Sequence, residues 1–437
     1  MQTELWLALI VFVVTYVLIS IRRFRWFNIE RPAVAMLGAA LMIVLGVVTP
    51  QEAIDAIDLN ILALLLGMML LVASLQLCGF FTWVSLRIIG SSKNLFEFLV
   101  MIMVATAVLS ALILNDAVVL LFTPIIIQTC RLIKVNPIPF LVAEAVSANI
   151  GSVATEVGNP QNVFIAAQSG IPFVDFSARL LPVAAISLFV AIVLIWFVFR
   201  RDLKLGQAET KPRRFFPKEV SRPIDCEAAR CKINFEGMHK SVYIVLGVLV
   251  VVFLGFVFSS VIGMPLSIVA IVGGTVVLFA LPLFNRQASA KSILGGVDWT
   301  LLLFFVGLFI VLKGVEVSGL MNEMVSIFES TGEGLTSVPG LTAFSGILSN
   351  LISNVPAVML LSPFLVTLGS TTLWLTLAAS STLAGNATIL GAAANVIVAE
   401  SGERMGVEIS FWKFVKAGLP ITVITLLVSI ILLTITA

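Results

Sequence analysis

The nine residues ATEVGNPQN, Ala154 to Asn162, place an acid, a glycine, a proline, a glutamine and two asparagines between two apolar runs, LVAEAVSANI (141–150) and VFIAA (163–167). In hydrocarbon a chain can break its helix only where the break is buried in protein or lines a wet cavity, because the freed N–H and C=O groups find no water. Gly151, Gly158 and Pro160 therefore mark an interruption in a helix that starts near Pro139, and Asn159, Gln161 and Asn162 supply side chains able to satisfy the freed backbone. A second stretch, AGNATILGAAAN (384–395), offers Gly385, Asn386, Thr388, Gly391 and Asn395 in the same style, without the proline.

Composition makes hydrocarbon the setting. Of 437 residues, 59% are hydrophobic and 11% charged, against about 25% charged in soluble domains. Runs such as LWLALIVFVVTYVLIS (5–20), LPVAAISLFVAIVLIWFVF (181–199) and VYIVLGVLVVVFLGFVF (242–258) approach the ~20 residues a bilayer core requires. The first run has no basic residue before it and no small-residue cleavage site after it, so it reads as a mature span. Cys78 and Cys130 lie in apolar segments as small hydrophobes. Cys226, Cys231 and His239 lie in a charged loop, in a spacing that matches no strong zinc pattern.

The chain repeats itself. IDLNILALLLGMMLLVASLQLCGF (57–80) aligns with VDWTLLLFFVGLFIVLKGVEVSGL (297–320), matching Asp58 with Asp298, Gly67 with Gly307 and Gly79 with Gly319. LNDAVVLLFTP (114–124) aligns with SNVPAVMLLSP (353–363), matching Asn115 with Asn354. SANIGSVATEVGNPQNVFIA (147–166) aligns with SSTLAGNATILGAAANVIVA (380–399), matching Thr155 with Thr388, Gly158 with Gly391 and Asn162 with Asn395. Three blocks in one order at nearly one offset divide the chain into a first transmembrane repeat (1–205), a polar, basic linker (206–240) and a second repeat (241–437).

Cytoplasmic loops carry the excess of Lys and Arg. RRFRWFNIER (22–31), RLIK (131–134), the linker, the loop with Arg286 and Lys291, and ERMGVEISFWKFVK (403–416) are then inside; TPQEAIDAID (49–58) and NEMVSIFESTGEG (322–334) are outside. Arg179 and Lys313 are the exceptions, the latter snorkelling near a helix end. Matching loops of the two halves face opposite sides, which defines an inverted-topology repeat with both termini outside and the linker cytoplasmic. The linker holds no nucleic-acid motif.

The matched Asn115 and Asn354 blocks each read as a helix–turn–helix within the membrane. Asn115, Asp116, Ser353 and Asn354 form the turns, and Pro356 suits the first turn of a returning helix. Four helix N-termini, at two hairpin tips and two broken helices, would face a polar solute; such ends carry free N–H donors and partial positive charge. Asn115 and Asn354 are either caps or solute contacts, and their repetition favours contact. Asp116 and Glu156 are intramembrane acids, which mark ion paths unless they cap helices or lie near the interface. Glu144 and Glu316 are further acids of undetermined depth. Asp58 and Asp298 read as plain N-caps.

LNDAVVLLFTPI, ANIGSVATEVGNPQN and SNVPAVMLLSP, with the second broken helix, resemble the ion transporter superfamily: arsenite permeases, NhaD-type antiporters, plant silicon effluxers and divalent anion/sodium symporters. The arsenite-permease-like anion permease branch is nearest. The resemblance spans both repeats. It implies an all-α polytopic membrane protein of about ten spanning helices plus two re-entrant hairpins and two broken helices, with the solute between tips and breaks. The dicarboxylate symporters carry Ser-Asn-Thr at each tip. Here the tips read Leu114-Asn115-Asp116 and Ser353-Asn354-Val355, and the Asn-Asp pair is that of the antiporter and arsenite branches.

The expectation is therefore a multi-pass inner- or plasma-membrane secondary transporter, not an enzyme. It would move a small anion or neutral oxyacid such as arsenite by alternating access. Substrate contacts would be Asn115, Asn354, Thr155, Asn162, Thr388, Asn395, Gly158 and Gly391. Asp116, Glu156, Asn159 and Ser353 would serve a coupling H⁺ or Na⁺, with sodium near Asn115, Asn162, Asn354 and Asn395 and no other cofactor. The alternatives are a Na⁺/H⁺ antiporter without an anion substrate and an uncoupled channel; monomer and homodimer both stay open.

Overall fold

The computed structural model describes residues 2–20, 30–209, 240–285, 288–321, 323 and 334–436. Most of the 206–240 linker, including Cys226, Cys231 and His239, lies outside the described residues, as does most of the basic loop 22–31. The described chain is an all-α polytopic membrane protein. Seven of its helices are long and apolar enough to cross a bilayer, and shorter apolar helices fill the remaining positions.

The first half runs α1 (Gln2–Ser20), α2 (Arg31–Val44), α3 (Pro50–Asp55), α4 (Leu59–Leu77), α5 (Phe80–Ser91), α6 (Leu95–Leu112), α7 (Asn115–Leu132), α8 (Ile138–Ser152), α9 (Pro160–Ser169) and α10 (Phe173–Glu209). The second half runs α11 (Val242–Val257), α12 (Ser259–Ile262), α13 (Leu266–Phe284), α14 (Ala290–Leu294), α15 (Trp299–Val317), α16 (Val338–Ile352), α17 (Asn354–Leu368), α18 (Thr371–Ala384), α19 (Ala393–Arg404) and α20 (Phe411–Ile435). Local chemistry repeats with the order. Thr49 caps α3 and Ser289 caps α14; Asp58 caps α4 and Asp298 caps α15, each carboxylate accepting from two backbone N–H groups. Gly79 and Gly319 both adopt left-handed φ, +75° and +80°, which lets the chain reverse after α4 and α15 without the penalty a Cβ would add.

Packing between the halves is reciprocal. α4 lies against α13 while α2 lies against α15; α7 lies against α19 while α9 lies against α17. A two-fold axis relating the repeats produces such pairing. The matched glycines serve it: a Cβ on Gly307 would meet the carbonyl carbon of Ala35 at 2.6 Å, and one on Gly67 would run into the backbone of Ala270. Two bundles result. One holds α1, α2, α4, α11, α13 and α15; the other holds the hairpins α6–α7 and α16–α17 with α8–α10 and α18–α20. At the centre of the second bundle, α8 is buried from Pro139 to Ser152 and α18 from Leu373 to Ala384.

Candidate functional site

α8 ends at Ser152 and the chain resumes as α9 at Pro160, so residues 153–159 form the first break. α18 ends at Ala384, passes through a single 3₁₀ turn (Gly385–Ala387) and resumes at Ala393. An asparagine pins each break. Asn162 Nδ2 donates to the carbonyls of Ser152 and Thr155, both at 3.0 Å. Asn395 Nδ2 donates to the carbonyls of Gly385 and Thr388 at 2.8 and 2.9 Å. The matched Asn162/Thr155 and Asn395/Thr388 pairs thus satisfy backbone that the breaks set free, as buried carbonyls require. Gly158 and Gly391 make close approaches to the chain itself: a Cβ there would meet the carbonyls of Ser152 and Gly385.

Asn149, one turn before the first break, joins the two repeats. Its Nδ2 donates to Asn386 Oδ1 and Asn395 Oδ1, both at 2.9 Å, and its Oδ1 accepts from Asn115 Nδ2 at 3.3 Å. Asn159 caps α9 through the backbone N–H of Asn162, and its amide reaches Ser152 Oγ at 2.9 Å and Thr382 Oγ1 at 3.3 Å. Asn149 and Thr382 stand in the two aligned blocks, SAN and SST, so the signal was in the sequence; nothing there showed that they bond across repeats.

The first hairpin turns at Ile113–Leu114 and the second at Ser353. The N–H of Asn115 donates to the Gly158 carbonyl at 2.9 Å, fixing the first tip to the first break. With its amide oriented to satisfy its neighbours, Asn354 donates to the Gly391 carbonyl at 3.1 Å and accepts from Gln161 Nε2 at 3.2 Å. Each tip is therefore tied to the break of its own repeat, and Gln161 bridges to the other.

Both tips open on a cavity of about 1000 Å³. Asn115 and Asp116 begin α7, Asn354 and Val355 begin α17, Gln161 comes from the first turn of α9 and Ala393 from that of α19, so four helix N-termini border one space. Ser353 also lines it. Thr155, Glu156, Gly158, Asn159, Thr388 and Gly391, in the breaks, and Asn162 and Asn395, in the first turns of α9 and α19, do not line it. Glu156 is fully buried, and neither of its carboxylate oxygens has a partner among the described residues. Glu144 accepts from Thr123 Oγ1 at 3.0 Å, away from the cavity.

The cavity mouth carries groups that the sequence had placed in loops or caps. Arg31, the first residue of α2, sends Nη1 to Ser353 Oγ at 3.1 Å. Asp298 and Thr300, at the start of α15, line the wall with Glu30, Glu400, Glu403 and Arg404. Asp116 shares this cavity with Asp298 and Arg31. A second, shallower cavity of about 600 Å³ opens elsewhere, lined by Asp55, Asp58, Asn60, Lys313 and Glu316. Lys313 pairs there with Glu316 at 3.1 Å, and it does not reach the tips.

Two helical repeats, reciprocally packed around paired hairpins and broken helices, define a membrane transporter of the inverted-repeat class. The chain belongs to the citrate transporter family, whose pattern matches residues 16–384. It is similar to the uncharacterized transporter Rv2685 of Mycobacterium tuberculosis, 31% identical over 98% of this chain and 97% of that one. It is also similar to the silicon efflux transporter LSI3 of Oryza sativa subsp. japonica, 30% identical over 92% of both. Among solved structures, the YdaH transporter of Alcanivorax borkumensis matches 99% of this chain and 97% of that one, with a TM-score of 0.56 and 13% identity, a likeness of fold.

Proposed function

We propose that the protein is a secondary active transporter that moves a small oxyacid or its monoanion, coupled to H⁺ or Na⁺ through Asp116. The observation carrying this reading is the single cavity onto which both hairpin tips and both resumed helices open, with an acid at one tip and a guanidinium at the other. Helix N-termini favour oxygen-rich, electron-dense solutes. The wall also holds five carboxylates (Glu30, Asp116, Asp298, Glu400, Glu403) against two guanidiniums (Arg31, Arg404). That balance repels a free trivalent anion such as citrate unless a cation travels with it, and tolerates a neutral or singly charged oxyacid. Silicon efflux by a relative of this length is in keeping with such cargo.

The charge rule puts the loops bearing Arg31 and Arg404 in the cytoplasm, so the larger cavity opens inward and the smaller one outward. The acidic wall also supports a second reading, a Na⁺/H⁺ antiporter without other cargo. One experiment separates the two. Purified protein in liposomes is offered arsenite, silicic acid, phosphate and citrate, with and without imposed proton or sodium gradients. The proposal expects one oxyacid to accumulate only when a gradient is present. Sodium-driven proton flux with no solute added would favour the antiporter, and gradient-independent equilibration would favour a channel.

A further inference from the structure

A cation at a helix N-terminus is electrostatically misplaced, because the unpaired N–H groups already make that end positive. Arg31 occupies such a position, at the start of α2. It sits at the mouth of the large cavity, and its one side-chain hydrogen bond among the described residues goes to Ser353 Oγ at 3.1 Å. A guanidinium carries five N–H donors in a planar fork, so most of its donors have no partner among the described residues. Asp116 and Asp298 line the same cavity, and neither is hydrogen-bonded to the guanidinium. The receiving residue is unusual as well: Ser353 holds φ +79° and ψ 159°, a conformation almost confined to glycine.

The contact also crosses between bundles. α2 belongs to the bundle built on α4, α13 and α15, whereas Ser353 is the tip of the hairpin packed in the other bundle. The repeat does not supply a second copy, since the residue opening α13 is Leu266. An unmatched guanidinium bonded to one tip of a two-fold site gives the cavity a direction.

We propose that Arg31 is the residue that recognises the cargo. Resting on Ser353, it turns to a solute seated between the tips and donates two parallel N–H bonds to two oxygens on one central atom. Its cargo class is then a small oxyacid or oxyanion with paired oxygens, and cargo exchanges the Arg31–Ser353 link between bundles for one through the solute. This deepens the function proposed above and rests on it.

Transport by wild type, Arg31→Lys and Arg31→Gln, reconstituted at equal density, tests the idea. A lysine keeps the charge and loses the fork. The expected result is a KM for the transported oxyacid raised ~10-fold or more in Arg31→Lys with the maximal rate much less affected, and no saturable uptake in Arg31→Gln. In detergent, that oxyacid should raise the melting temperature of wild type and not of Arg31→Gln, with the two solute-free proteins melting alike. An unchanged KM in both variants, or an intact solute-induced shift in Arg31→Gln, overturns the role of Arg31 alone. A wild type that moves none of the oxyacids overturns the proposed function, and this inference with it.

Discussion

Asp116 begins the returning helix of the first hairpin, its N–H held by Asn115 Oδ1 at 2.9 Å, and its carboxylate lines the cavity. Its counterpart across the repeat is Val355, so the acid belongs to one tip only. A group that carries the coupling ion must change its charge or its ligation during the cycle, which an amide cannot do. Asp116→Asn should therefore remove the gradient dependence of uptake while the protein still elutes and melts as wild type. Unaltered pH and sodium dependence in flux assays would take Asp116 out of the cycle. Glu156 makes a different case. Both its oxygens are buried without partners among the described residues, it does not line the cavity, and its counterpart is Ile389. Burying an amide costs less than burying an unpaired charge, so Glu156→Gln should melt no lower than wild type. A clear drop in melting temperature would mean that the carboxylate itself holds the break together. Asp116 was legible as an intramembrane acid beside a repeated asparagine. Arg31 was not, because a basic residue ahead of a helix is also what the cytoplasmic side of any span displays.

The broken helices are held by the residues that the sequence marks most strongly, and this limits what their repetition says. Asn162 and Asn395 recur because both breaks free carbonyls that need donors; a repeat of that kind appears whether or not solute touches the side chain. Asn395→Ala should lose two buried donor bonds and cost about 2–6 kcal/mol, at roughly 1–3 kcal/mol for each group left unpaired. Asn395→Asp should melt at least as low, since a carboxylate would face two carbonyls. Melting curves matching wild type for both would make Asn395 a solute contact alone. The glycines of the long helices form a second matched set. Gly67 and Gly307 admit the backbones of Ala270 and Ala35 across the α4/α13 and α2/α15 seams. Alanine at either should destabilise by ~1–3 kcal/mol through overpacking, and by similar amounts at both, because the seams are two copies of one contact. A loss at one position and none at the other, read by thermal unfolding, would show that the seams differ.

At the scale of the whole molecule, sequence alone carried the architecture further than it carried the site. Three aligned blocks, with loop charges that change sides, were enough to lay out two inverted copies with hairpins and breaks in register, because repeat and charge are properties of the chain. The larger cavity is a property of the assembled bundles. It gathers the start of α2, the start of α15 and the last turns of α19, segments far apart in sequence and linked by no shared motif. The inversion has a direct signature in two equivalent residues, Asn60 and Thr300, which occupy the same turn of α4 and α15. Asn60 lines the smaller cavity and Thr300 the larger one. In a background freed of reactive native cysteines, Asn60→Cys and Thr300→Cys can be labelled with a membrane-impermeant thiol reagent in right-side-out and inverted vesicles. The account predicts labelling of Thr300→Cys only from the cytoplasmic face and of Asn60→Cys only from the opposite face; labelling of both from one face would contradict it.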